Sequence, residues 1–278
     1  MLYLIATPIG NLGDITYRAI QTLKTVDYVL CEDTRHSKIL LDHYAIHAKL
    51  LSYHKFNESK SLNSIISDLK NGQNIALISD AGTPAIADPG ENLVKEAIKE
   101  NIIVIPIPGP CAAIAAITAS GLNTTQFQFV GFLPKKTQEL ENALKQYLAY
   151  SGTTICYESP NRIISVLQTL VKLGSTRKLA VGRELTKKFE EVVRGTAQEI
   201  MTYFEKSQVK GEIVLMIAQS CASEDHINWE ALTPLEHVEL VQNTFQSTRQ
   251  EAILIVARLR GISKSKIYNA VHKEEGDN

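Results

Sequence analysis

The sequence lacks most of the short signatures that mark common enzyme classes. No G-x-G-x-x-G opens a helix and no Gly-Lys-Ser/Thr closes a phosphate loop, so the usual dinucleotide and ATP sites are excluded. No Gly-x-Ser-x-Gly elbow is present, which removes acyl-enzyme hydrolysis. Cysteine is sparse: Cys31, Cys111, Cys156 and Cys221 stand far apart with no C-x-x-C pair, which argues against a disulfide framework or a cysteine-built zinc site and for a reduced, intracellular chain. His43 and His47 share a helix face at i, i+4 with His36 nearby, but no H-E-x-x-H accompanies them, so no metal is expected. The N-terminal run is short of a signal segment and lacks a basic leader, because Pro8 and Gly10 interrupt it. Excess charge is missing too: 29 Lys plus Arg against 30 Asp plus Glu give −1, which excludes a uniformly basic nucleic-acid binder.

One long stretch lacks charge altogether, from residue 101 to 134. On length alone it could span a bilayer. Pro106, Pro108, Gly109 and Pro110 divide it into a strand (Ile102–Ile105) and a small-residue helix (Cys111–Leu122), each too short to cross, so no membrane role is expected.

What is present is ordinary globular composition, 44% hydrophobic and 21% charged over 278 residues, enough for a sizeable core and two domains. Short β-rich runs alternate with helical patterns: Leu2–Ala6, Tyr28–Cys31, Ile75–Ser79, Ile102–Ile105, Phe127–Gly131, Thr153–Tyr157, Leu179–Gly182 and Glu212–Ile217. That alternation predicts an α/β fold with a largely parallel sheet in the first half, and Phe189–Arg194 reads as an added antiparallel strand. Asp14 is expected to cap the first helix and Pro89-Gly90-Glu91 to open another. A polar linker runs from Ser220 to Leu232. Beyond it, Ser247 or Thr248 caps a helix through Leu259, Gly261 turns the chain, and Ser263 caps a second helix through Lys273. The boundaries predicted are 1–122, 123–220 and 233–278.

Ligands of open α/β sheets bind beyond the carboxyl ends of the strands. Unusual loops stand there: Thr7-Pro-Ile-Gly-Asn-Leu-Gly13, Glu32-Asp-Thr-Arg35, Asp80 through Gly90, and Pro106-Ile-Pro-Gly-Pro110. Proline fixes the backbone and glycine admits a ligand close to it, which suits adenine and ribose edges. Asp80 at a strand end suits a ribose hydroxyl or an amino group. Any one loop reads equally well as a tight turn; four in succession do not. Two later loops, Tyr157-Glu-Ser-Pro-Asn-Arg162 and Arg183-Glu-Leu-Thr-Lys-Lys188, gather ionisable groups that suit a general base or a phosphate grip, or form a surface ion-pair cluster.

Together and in order, these segments resemble one family. The segments Tyr3-Leu-Ile-Ala-Thr-Pro-Ile-Gly-Asn-Leu, Glu32-Asp-Thr-Arg-His36, Ser79-Asp-Ala-Gly-Thr-Pro, Asp88-Pro-Gly90 and Pro108-Gly-Pro-Cys-Ala-Ala113 carry the resemblance through the first half. Gly131-Phe-Leu-Pro134, Tyr157-Glu-Ser159, Arg183-Glu-Leu-Thr-Lys187 and Lys210-Gly-Glu212 continue it, and the whole is similar to the ribosomal small subunit methyltransferase I family from residue 2 to about 273. The resemblance implies a two-domain tetrapyrrole-methylase-like α/β fold with a small C-terminal helical (HTH-like) domain. It also implies a cytoplasmic homodimer that uses S-adenosylmethionine to 2′-O-methylate a cytidine, position 1402 in the usual rRNA numbering, in the decoding region of 16S rRNA in the 30S subunit. By position, Pro8, Asp80, Thr83, Ile86, Ala87, Pro110, Cys111, Ala112, Tyr157, Lys210 and Glu212 correspond to cofactor-lining segments. Glu184 or Lys187 is the expected proton acceptor, with Arg183 beside them in the catalytic group and, with Arg162, gripping phosphates; Arg162, Lys188, Lys264 and Lys266 are expected on RNA. This chain has Pro160 and Asn161 where other members can carry Thr-His, so those two positions carry no assignment.

Two rivals stay open: C-methylation of a tetrapyrrole on the same fold, and a helix-turn-helix regulator whose α/β part senses a ligand. Charge is also uneven beneath the neutral sum. Residues 172–194 hold seven Lys/Arg against three Glu, residues 247–273 hold six against one, and the remainder is net acidic. That is the distribution expected of a chain gripping phosphates at two places, or of two solvated helical surfaces.

Overall fold

The computed structural model describes residues 1–205, 209–220, 232–245 and 247–276. The chain divides into two compact units, Met1–Ser220 and Cys221–Asn278.

The first unit holds two five-stranded sheets. In the first, β1 (Leu2–Ile5), β2 (Tyr28–Cys31), β3 (Lys49–Ser52), β4 (Ile75–Leu77) and β5 (Val104–Ile107) lie in the order β3-β2-β4-β1-β5, all parallel. Alternation within the strands splits their side chains between two cores. Val29, Cys31 and Ala76 face α1 (Tyr17–Leu23) and α2 (Thr34–His43), while Tyr28, Leu30, Ile75 and Leu77 face α3 (Glu58–Lys70) and α4 (Glu91–Lys99). Burial on both faces explains why these strands read as unbroken apolar runs. Strand β3 escapes the sequence reading because Lys49 and Ser52 are exposed at the sheet edge. Helix α1 is capped by Thr16, whose hydroxyl accepts from the Ala19 amide; Asp14, the expected cap, sits two residues earlier in a short 3-10 turn.

The chain then crosses through α5 (Ala112–Ser120) into the second sheet. Here β6 (Phe127–Phe132), β7 (Thr153–Glu158), β8 (Leu179–Arg183), β9 (Glu191–Gly195) and β10 (Ile213–Ile217) take the order β6-β7-β10-β8-β9. Of its neighbouring pairs β6–β7 is parallel and the other three are antiparallel. One face packs on α6 (Thr137–Ala149), α7 (Ile163–Lys172) and α8 (Ala197–Glu205). The other face receives α5, whose Ala113, Ala116 and Ile117 meet Ile155, Ala180, Val214 and Met216. Small residues let this helix lie close to the strands, and Arg194 donates to the Ser120 carbonyl at its end. The uncharged stretch thus holds the edge strands β5 and β6 with helix α5 between them, and no helix among the described residues is long and apolar enough to cross a membrane.

The second unit contains α9 (Pro234–Phe245), α10 (Arg249–Leu259) and α11 (Lys264–Gly276) around Val238, Val241, Ile253, Val256, Ile267 and Val271. Thr248 and Glu251 form a reciprocal capping box on α10. The expected linker around Cys221 lies outside the described residues.

Candidate functional site

The loops at the carboxyl ends of the first sheet are tied to one another. Thr7 and Gly82 exchange backbone hydrogen bonds of 2.9 and 3.0 Å, which fastens the loop after β1 to the loop after β4. The Thr7 hydroxyl donates to the Ser79 carbonyl (3.1 Å), the Thr83 hydroxyl to the Pro110 carbonyl (3.1 Å), and the Asp33 amide to Asp80 Oδ1 (3.2 Å). All four loops are therefore linked in a single hydrogen-bonded scaffold. Strain concentrates beside it. Ala45 and Asn101 adopt positive φ where helices end, whereas Ala85 and Ala87 (both +64°), Glu184 (+50°) and Thr186 (+65°) flank a cavity. A left-handed alanine costs on the order of 1–3 kcal/mol, and such outliers cluster at functional sites.

The cavity measures about 270 Å³, close to the lower bound for organic-ligand pockets. Asp80, Thr83, Ile86, Ala87, Cys111, Ala112, Tyr157 and Glu212 all line it, as does Leu185 from the loop after β8. Pro8, Pro110 and Lys210 do not line it; Pro110 contributes the carbonyl that holds Thr83. Four acidic residues, Asp80, Asp88, Glu158 and Glu212, stand among the lining residues with no Lys or Arg; Glu158 and Glu212 are paired with Arg162 and Lys187 outside the lining, so the acidic character rests chiefly on Asp80 and Asp88. Burial pushes the Asp88 carboxyl up to about 6, helped by the charges of Glu32 and Asp80. Burial, with the neighbouring Cys111 thiol, likewise pushes the Tyr157 hydroxyl up to about 12. A cavity of this kind favours a cation.

Beside it lies an ion triad. Lys187 Nζ donates to Glu184 Oε1 (2.9 Å) and Glu212 Oε2 (3.3 Å), and the Glu212 amide donates to Glu184 Oε1 (3.1 Å). Gly10 and Gly211 make room for it, since a Cβ on either would collide with the Lys187 or Glu184 side chain. Thr186 donates to Asp14, fastening this loop to the first sheet's. The hydrogen bond from Lys187 holds Glu184 below the usual carboxylate range. Partial burial pulls the Lys187 ammonium down, but Glu184 and Glu212 more than offset it and the net shift is upward. In this arrangement the Lys187 ammonium and the Glu212 amide both hold the Glu184 carboxylate, which favours its ionised form. Arg183 is likewise engaged, with Nε on Glu191 Oε1 at 2.5 Å.

The expected RNA contacts separate. Arg162 donates to the carbonyls of Leu133 (3.2 Å) and Pro134 (2.6 Å) and pairs with Glu158 at 3.1 Å, so its guanidinium is held within the protein. Lys188 is exposed, its ammonium 5.6 Å from the Phe189 ring centroid, and Lys264 and Lys266 are exposed on α11. Sequence reasoning missed Asp88, Phe132, Glu158 and Leu185 as lining residues. Each lies inside a motif already singled out, but nothing in one sequence tells which residue of such a motif turns inward.

A family model described as tetrapyrrole (corrin/porphyrin) methylases matches residues 1–201. Ribosomal RNA small subunit methyltransferase I of Halalkalibacterium halodurans is 46% identical over 98% of this chain and 95% of its own length. The Bacillus subtilis protein of the same name is 42% identical over 98% and 94%. Among solved structures, diphthine synthase superposes with a TM-score of 0.62 at 13% identity, over 79% of this chain and 89% of its own, a likeness of fold. The chain therefore belongs to the ribosomal RNA small subunit methyltransferase I family, methyltransferases of the tetrapyrrole-methylase fold.

Proposed function

We propose that this protein transfers a methyl group from S-adenosylmethionine to the ribose 2′-oxygen of a cytidine in the decoding region of 16S rRNA, acting on the 30S subunit as a cytoplasmic homodimer. The observation that carries the donor assignment is the cavity with Asp80 and Asp88 on its wall and no basic residue in its lining, walled by linked backbone-rich loops. That donor set fits a nucleoside bearing a positive sulfonium and an ammonium: Asp80 and Asp88 supply negative charge, and the Ile86-Ala87 and Cys111-Ala112 backbones supply hydrogen-bonding edges. The sulfonium, when bound, supplies an electrophilic methyl carbon. In-line displacement asks the protein chiefly for alignment, for which proximity contributes several kcal/mol. The Glu184–Lys187–Glu212 triad aligns the β8–β9 loop against the cavity, and Leu185 excludes water. The rRNA assignment follows the names of relatives above 40% identity, which favours it over tetrapyrrole C-methylation. Segments 1–122 and 123–220 act as the two domains that hold the cofactor, and 233–278 as the RNA-docking domain.

The test is incubation of unmethylated 30S subunits with methyl-labelled S-adenosylmethionine and nucleoside mapping. Label in 2′-O-methylcytidine is expected; label on the base, or in no nucleoside, refutes the reading. The electrostatic part has its own check. A cation favours ionised Asp88, so S-adenosylmethionine affinity rises between pH 5 and 7, through the Asp88 value of about 6. Calorimetry should show that rise much reduced in Asp88→Asn and for the thioether product, which lacks the sulfonium charge.

A further inference from the structure

Phe132 is 62% exposed although it lies on the cavity wall. Two features hold it there. Strand β6 pairs in register with β7 as far as Phe129 opposite Ile155, then shifts, so that Phe132 stands opposite Tyr157. Gly131 takes φ +69° within this irregularity. An extra residue of this kind re-aims the side chain that follows it, and such bulges concentrate beside active sites. On the other side, the Arg162 bonds to the Leu133 and Pro134 carbonyls clamp the next two residues, and Arg162 is itself anchored by Glu158, whose side chain is 1% exposed. The Phe132 ring meets Tyr157 edge-on with centroids 5.7 Å apart, and Tyr157 meets Phe129 at 4.8 Å. An irregular strand and a buried ion pair thus fix an aromatic ring that the fold leaves mostly in water.

We infer that Phe132 is the platform on which the base of the target nucleotide stacks, with the nucleotide turned out of its helix so that its ribose faces the cavity. The inference rests on the proposed function and deepens it. An acid-lined cavity suits the cationic donor, whereas the aromatic rim suits a neutral ring. Single-stranded or splayed bases are held by such side chains because every base has a π-face. Glu158 and Arg162 are positioning residues for that platform.

The experiment compares wild type with Phe132→Ala, Phe132→Leu and Phe132→Trp. Single-turnover methylation of 30S subunits gives kcat/KM, calorimetry with S-adenosylhomocysteine reports the cofactor site and confirms folding, and quenching of an RNA with pyrrolo-cytidine at the target position reports stacking. Base–aromatic stacking predicts a loss of kcat/KM of about five- to hundredfold in the alanine and leucine variants, with quenching lost and cofactor affinity kept. Phe132→Trp should retain both. Leucine performing as well as phenylalanine, or cofactor affinity falling in parallel with kcat/KM, overturns the inference. A wild-type protein that quenches the RNA but methylates no 30S overturns the proposed function and leaves the stacking standing.

Discussion

The basic residues of the second sheet and those of the C-terminal helices look alike in sequence and differ in use. Lys172 pairs with Glu141, Arg177 donates to the Gln219 and Leu148 carbonyls, Arg183 pairs with Glu191, Lys187 with Glu184 and Glu212, and Arg194 closes α5. Of the seven cations between 172 and 194, those five are taken up by the fold. In the C-terminal unit, Arg258, Lys264, Lys266 and Lys273 are exposed. A local surplus of +4 or +5 therefore says little about phosphate contact until each cation's partner is known. Positive charge in this part of the first unit is chiefly paired within the protein; in the C-terminal unit most of it is presented to solvent.

The largest effect expected from this contrast is on stability. Removing Arg162 leaves Glu158 buried without its cation, and breaking a buried pair from one side costs about 3 kcal/mol or more. Arg162→Ala should lower the urea midpoint accordingly, and the double change Glu158→Gln with Arg162→Met should recover much of the loss. An unchanged midpoint accompanied by weaker RNA binding would reverse the comparison and restore Arg162 as a phosphate ligand.

Next in size is the converse change. Lys264→Ala with Lys266→Ala should leave the urea midpoint where it was and weaken rRNA binding several-fold, whatever the sequence. The slope of log affinity against log salt should flatten by about two, one for each phosphate that no longer meets a lysine. Filter binding over a salt series checks this. An unaltered slope would mean that the exposed lysines are merely solvated and that the C-terminal unit does not dock RNA.

The same contrast explains what the sequence could disclose. Periodicity revealed β1, β2 and β4 because both faces of that sheet are buried, and it lost β3, whose ends are polar at the edge. Gly and Pro at the ends of β1, β4 and β5 marked the loops of the cavity, since those residues are there for backbone reasons that act locally. The ionic residues were visible as a group but not individually. Whether Glu184 meets Lys187 or a substrate depends on β10 bringing Glu212 alongside, from 28 residues away in sequence. Phe132 was hidden for a similar reason: it stands in the Gly131–Pro134 motif with nothing local to mark its direction, and the irregular pairing with β7 turns it to the rim.

The smallest effect concerns a cation that breaks the pattern. Arg260 lies in the C-terminal unit yet behaves like the second sheet's arginines, donating to the Leu232 carbonyl (2.7 Å) and to Nδ1 of His237 (3.0 Å). An imidazole that accepts from arginine at Nδ1 must be neutral. Burial, then the Arg260 charge, holds His237 below its ordinary value. The folded state therefore binds that proton less tightly than the unfolded chain does. Its contribution to stability is complete above the unfolded value near 6.5 and is lost as pH falls through the lower folded value. The loss should be confined to α9, α10 and α11. Hydrogen exchange on the full chain at pH 7.5 and 5.5, corrected for intrinsic rates, should show protection of those helices falling in acid. His237→Gln, which keeps an acceptor without a titrating ring, should remove the dependence; if it persists unchanged, the Arg260–His237 bond is not what ties this cation to the fold.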